Sequence, residues 1–110
     1  MEYPDMTDEQ KAGVLLCLTN IAANGPHRGD GICANVADDV GGVSCCHLAP
    51  YFKRWSEFSG NPGYPVDGRD GYANTKGSRW DVNTESGAKR YRLLAFLVHE
   101  LTKELHPCQS

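Results

Sequence analysis

Arg54-Trp55-Ser56-Glu57-Phe58-Ser59-Gly60-Asn61-Pro62-Gly63-Tyr64-Pro65-Val66-Asp67-Gly68-Arg69-Asp70-Gly71 is the stretch around which the chain is organised. Four glycines and two prolines exclude a regular helix through it. Trp55, Phe58 and Tyr64 are nevertheless too apolar for an idle linker. A long loop carrying large aromatics inside a small domain either folds onto the core or holds a ligand. On both sides the pattern is helical, so the reading of this stretch sets the architecture: helices before it, a helix after it, and irregular chain between.

Upstream, Thr7-Asp8-Glu9-Gln10 is a capping box, with Asp8 and Glu9 complementing the positive end of a helix dipole. Val14, Leu15, Leu18, Ile21 and Ala22 follow as an apolar stripe, and Asn24-Gly25-Pro26 stops the helix. Ile32 to Val40 reads as a short helix with Asp30 as its cap, stopped by Gly41-Gly42. Val43 to Trp55 reads as another, with Val43, Cys46, Leu48 and Tyr51 apolar. Pro50 lies inside it, so a break after His47 or a restart with Pro50 in the first turn is expected.

Downstream, Tyr64-Pro65-Val66 and Arg79-Trp80-Asp81-Val82 can pair as a short two-stranded ribbon. Thr84 then caps a long helix to about Leu105. Leu94, Leu97, Val98, Leu101 and Leu105 form its core stripe, while Lys89, Arg90, His99, Lys103 and Glu104 decorate other faces. The expected fold is mainly α. It is one small domain, residues 1–110, of three to four helices with a long irregular central loop and a short β ribbon, residues 1–6 being loosely ordered.

At 110 residues the chain can bury a modest core, roughly 60–70% of its unfolded surface. No apolar run approaches the roughly 20 residues of a membrane span, and Met1-Glu2-Tyr3-Pro4-Asp5 lacks a signal-peptide layout. A soluble, cytosolic protein is expected. Cys17, Cys33, Cys45, Cys46 and Cys108 are odd in number and irregularly spaced, and read as free, small, buried side chains.

Charge is uneven. Residues 1–40 carry seven acids against Lys11 and Arg28, whereas residues 41–80 carry Lys53, Arg54, Arg69, Lys76 and Arg79 against three acids. An acidic chain with this distribution does not suit duplex nucleic acid, but suits a local pocket for a compact anion.

Motifs for catalysis are weak. Cys45-Cys46-His47 is the one local group of metal-type ligands, and adjacent helical residues point about 100° apart, so at most one or two of them can face one ion. No G-x-S-x-G elbow, HExxH or P-loop is present. No catalytic residue, metal or cofactor is expected, and the chain reads as a non-enzyme. Arg54-Trp55 and Arg79-Trp80 bracket the loop and carry the sharper pattern. Indoles offer stacking faces, and guanidinium forks grip phosphate. Arg54, Trp55, Tyr64, Arg69, Arg79 and Trp80 are the expected ligand-binding set, with the alternative that Trp55 and Trp80 are core anchors.

Gly31-Ile32-Cys33-Ala34-Asn35, then Trp55-Ser56-Glu57-Phe58-Ser59-Gly60, Tyr64-Pro65-Val66, Trp80, Arg92-Leu93-Leu94 and Glu100-Leu101 resemble, over roughly residues 10–105, a set of small tailed-bacteriophage proteins to which no function is assigned. Ser56 departs from their pattern, where proline often follows the tryptophan. The resemblance implies a phage accessory protein in the host bacterial cytoplasm, and such proteins work by binding. Two roles are expected. One is a homo-oligomeric sponge that sequesters a small nucleotide-like signal of host defence. The other is an inhibitor that presents Asp30, Asp38, Asp39 and the N-terminal acids to a basic host protein.

Overall fold

In the computed structural model, residues 5–26, 32–60 and 83–106 are described. They hold four α-helices: α1 Asp8–Asn24, α2 Ile32–Asp39, α3 Cys45–Ser59 and α4 Glu85–Leu105. The proposed ribbon and the Asp30 cap fall outside these residues. Among the described residues there is no strand, and no helix is long and apolar enough to cross a membrane.

The two long helices start where local chemistry says they should. Thr7 Oγ1 accepts from the Gln10 amide at 3.0 Å, and Gln10 Oε1 accepts from the Thr7 amide at 2.9 Å. Thr84 Oγ1 accepts from the Gly87 amide at 3.0 Å at the head of α4. Each bond satisfies an amide that the first helical turn leaves without a partner.

Lys11, in the second turn of α1, pairs with Glu104 at the far end of α4 (3.1 Å), so α1 begins where α4 ends and the packed pair is antiparallel. Tyr51 also reaches Glu104, whereas Trp55 and Phe58, further along α3, reach Phe96, so α3 too runs antiparallel to α4. The short α2 packs on α1 and α3. Its end is drawn close to α1 because Gly13 has no Cβ; one built there would lie 3.2 Å from Val40 Cγ2. A Gln10 Nε2 to Gly41 carbonyl bond of 3.4 Å closes the same corner.

Three details differ from the sequence expectation. The α1 stripe is Val14, Cys17, Leu18 and Ile21, with Leu15 partly buried and Ala22 exposed. Counting i, i+3, i+4, i+7 from Val14 selects this set, which rotates the buried face toward Cys17. Secondly, α3 neither breaks after His47 nor restarts at Pro50, and it runs on to Ser59, where Gly60 caps it at φ 78°. Pro50 is its sixth residue and removes the amide that would bond the Cys46 carbonyl. Burial of Leu48, Tyr51 and Trp55 on one side of the helix offsets that single loss.

Thirdly, Arg90 does not decorate an outer face of α4. It is fully buried, in line with Leu94, Leu97 and Leu101 at steps of four, three and four, and Leu93 joins the same face. The core is Met6, the α1 stripe, Ile32, Val36, Val40, Val43, Leu48, Tyr51, Trp55 and these leucines. Met6, just ahead of α1, belongs to it, and residues 1–4 lie outside the described residues.

Candidate functional site: the α3–α4 seam

The expected ligand-binding set divides at once. Arg54 and Trp55 lie on α3 and are described; Tyr64, Arg69, Arg79 and Trp80 lie outside the described residues. The chain between them leaves α3 at Gly60 and re-enters at Asn83, just before α4.

Arg54 is engaged by carboxylates of α4. Its Nη1 donates to Glu100 Oε1 at 3.2 Å and to Glu104 Oε2 at 3.0 Å, and its guanidinium carbon lies 4.6 Å from the centre of the Tyr51 ring. Glu104 collects three donors from two helices. Tyr51 Oη donates to it at 2.5 Å, Lys11 at 3.1 Å, and Arg54 makes the third contact. Lys103 pairs with Glu100 at 3.2 Å. This knot ties α1, α3 and α4 together at one end of the bundle.

Its electrostatics follow from the geometry. Burial pushes the Glu104 carboxyl up, but the hydrogen bonds from Tyr51, Lys11 and Arg54 outweigh it and hold the carboxyl below its ordinary value. Burial, and then donation to Glu104, push the Tyr51 phenol well above its ordinary value. For Arg54 burial acts downward, yet the two carboxylates more than compensate and raise it. Both guanidinium charge and phenol proton are therefore committed within the protein.

Trp55 is 6% exposed. Its indole stands 5.5 Å from the Phe96 ring at 60°, a tilted contact of the kind aromatic pairs favour. One turn further, Phe58 packs on the same Phe96, with centroids 5.1 Å apart and planes at 30°. Phe58 is nonetheless 74% exposed, so one broad side of its ring meets solvent. Phe58 and Phe96 form an aromatic ledge at the end of α3. Neither belonged to the expected ligand set. The signal for Phe96 was present in its spacing, since Arg92, Phe96, Glu100 and Glu104 are four successive i,i+4 positions on α4.

The cysteines are of mixed character. Cys17, Cys33 and Cys46 are free thiols, Cys17 buried, Cys33 half-buried and Cys46 exposed, so burial does not extend to all three. Burial, and then an Asp39 hydrogen bond, push the Cys17 thiol up to about 12, which keeps it protonated and unreactive. His47 Nδ1 accepts from the Ser44 amide at 3.1 Å and lies 3.4 Å from the Ser44 hydroxyl, contacts that close the start of α3. Among the described residues there is no group of three or more His, Cys, Asp or Glu side chains placed to hold a metal ion.

No family model, no curated protein and no solved structure matches the chain.

Proposed function

We propose that this protein is a non-enzymatic binder of a small, planar, nucleotide-like anion, and that the aromatic ledge of Phe58 and Phe96 is the platform on which the ligand's ring stacks. The observation that carries the reading is the 74% exposure of Phe58 while Phe96 backs it at 5.1 Å. A large apolar ring backed by a second ring and open to water, next in sequence to a segment bearing Tyr64, Arg69, Arg79 and Trp80, suits a flat ligand. Within the original set, Trp55 then acts as the anchor beneath the ledge, and the phosphate contacts fall to cations other than Arg54.

A ledge covers only one face of a ring. A second copy of the chain supplying an opposing wall would enclose the ligand, which favours a homo-oligomer. The resemblance to tailed-phage proteins supports the biological role: an accessory protein in the host bacterial cytoplasm that sequesters a signalling nucleotide of host defence. Native mass spectrometry and thermal-shift titration with bacterial nucleotide extracts test this together. A retained nucleotide and a raised Tm, both absent in Phe58→Ala, are expected. No retained ligand and no shift would remove the reading.

One observation favours a second reading, an inhibitor that docks an acidic face on a basic host protein. The Gln10–Gly41 bond holds the exposed Asp8 and Glu9 of α1 at the same corner as the exposed Asp38 and Asp39 of α2. A stoichiometric host partner captured by the wild type and lost on combined Asp38→Lys and Asp39→Lys would favour it over the sponge.

A further inference from the structure

The charges beside the ledge are not symmetric, and the asymmetry orients whatever stacks there. Along α4 the i,i+4 ridge reads Arg92, Phe96, Glu100, Glu104. On the α4 C-terminal side of Phe96 both carboxylates are occupied by Arg54. That side is closed to an anion twice over, by negative charge and by a guanidinium already paired. On the other side stands Arg92, exposed, with no hydrogen bond or ion pair among the described residues. By contrast Lys11, Arg54, Lys89 and Lys103 all carry ion pairs, and Arg90 is buried.

Position supports the same assignment. Phe96 faces the last turns of α3, while α4 extends about three turns further toward its own start at Glu85. Arg92 lies one turn closer to that start, with its Cβ about 6 Å from that of Phe96. A nucleoside monophosphate spans a comparable distance from base to phosphate. Lys53 is also exposed and without an ion pair among the described residues. It and the exposed Glu57 point about 140° and 100° away from Phe58 around α3, so neither lies over the ring.

We infer that Arg92 is the phosphate-binding and orienting residue of this site: the ligand's ring stacks on Phe58, and its phosphate points along α4 toward Arg92, away from Glu100 and Glu104. The inference rests on the proposed nucleotide-binding reading and adds to it a direction and a residue. It also predicts selectivity for a phosphorylated ligand over the bare nucleoside, since a cation contributes charge-assisted hydrogen bonds that a stacking ring does not.

The test compares AMP with adenosine as probes, titrated by calorimetry against the full chain and against Arg92→Gln, Arg54→Gln and Phe58→Ala. The wild type is expected to bind AMP more tightly than adenosine, and increasingly so as salt is lowered. Arg92→Gln should weaken AMP by roughly tenfold, leave adenosine unchanged and abolish the salt dependence. Arg54→Gln, whose guanidinium is committed to Glu100 and Glu104, should leave the AMP-to-adenosine ratio intact. If Arg92→Gln keeps the wild-type preference while Phe58→Ala loses both probes, the stacking site stands and the role of Arg92 is overturned. If Phe58→Ala binds both probes as the wild type does, or the wild type binds neither, the nucleotide-binding reading itself falls. Arg92 is exposed, so circular dichroism and Tm of Arg92→Gln should match the wild type and separate a binding effect from misfolding.

Discussion

Two halves of a single helix–helix seam solve the same packing problem with different chemistry. In the half nearer the start of α3, Tyr51 and Arg54 meet Glu100 and Glu104 through hydrogen bonds and ion pairs. In the half nearer its end, Trp55 and Phe58 meet Phe96, and the contact is made by ring faces alone. The polar half is directional, since Tyr51 Oη and Arg54 Nη1 are both bonded to carboxylates of α4. The aromatic half is complete only at Trp55, because one turn later the same packing leaves a ring mostly in water. Residues that pair with one another inside the fold contribute to its stability, whereas a large ring left mostly in water contributes little to it.

The largest effect that can break this comparison is expected at Trp55. If the indole is the anchor of the aromatic half, Trp55→Ala should cost about 3–5 kcal/mol of stability, as deletion of a buried large aromatic does. Urea denaturation followed by circular dichroism reads it directly. A loss below about 1 kcal/mol would mean that the ring contributes little to the core, and would return Trp55 to the ligand-contacting set.

A smaller effect, with a pH signature, is expected in the polar half. Glu104→Gln keeps the shape of the side chain but removes the charge shared by Lys11, Tyr51 and Arg54. The expected loss near neutral pH is about 1–2 kcal/mol, kept at the low end because Arg54 has 41% of its side chain exposed and solvent screens the pair. Because the folded carboxyl is held below its ordinary value, its contribution is fully present above the unfolded value, which is about 4.3, and is lost as pH falls through the folded one. Wild type and variant should therefore differ at pH 7 and converge on acidification toward pH 3. Parallel stability curves across that range would show that the carboxylate is not what ties the three helices.

The sequence was most legible where the deciding interaction is local. Thr7 with Gln10 and Thr84 with Gly87 are three residues apart, so both long helices could be started from the sequence. The extent of α3 was less legible, because Pro50 argues locally for a break and only the burial of Leu48, Tyr51 and Trp55 against distant residues overrides it. Arg90 was misjudged for a related reason: residue type says surface, whereas its register with Leu94, Leu97 and Leu101 says core. The site was least legible. Nothing near Arg54 announces Glu100 and Glu104, 46 and 50 residues away, so a guanidinium that looked free for phosphate is in fact committed. Which of Trp55 and Phe58 is the anchor and which is exposed depends on where α4 passes, and no residue near them in the sequence records that.

The smallest stability effect belongs to Phe58, and its smallness is the informative part. Phe58 and Trp55 both touch Phe96, at 5.1 and 5.5 Å, so the rings cannot be ranked from centroid distances. They differ in what water they displace. Stabilisation follows the apolar area removed from solvent, and Phe58 retains 74% of its exposure where Trp55 retains 6%. Phe58→Ala should accordingly cost under about 1 kcal/mol, drawn mostly from the edge it shares with Phe96. A loss as large as that of Trp55→Ala would show that the ring is covered in solution and that the ledge does not exist as an open surface. With a small loss, the two aromatic positions separate cleanly: removing Trp55 unfolds the seam, and removing Phe58 leaves a folded protein that lacks the exposed ring. That makes Phe58→Ala the variant in which a change of binding can be read without a change of fold.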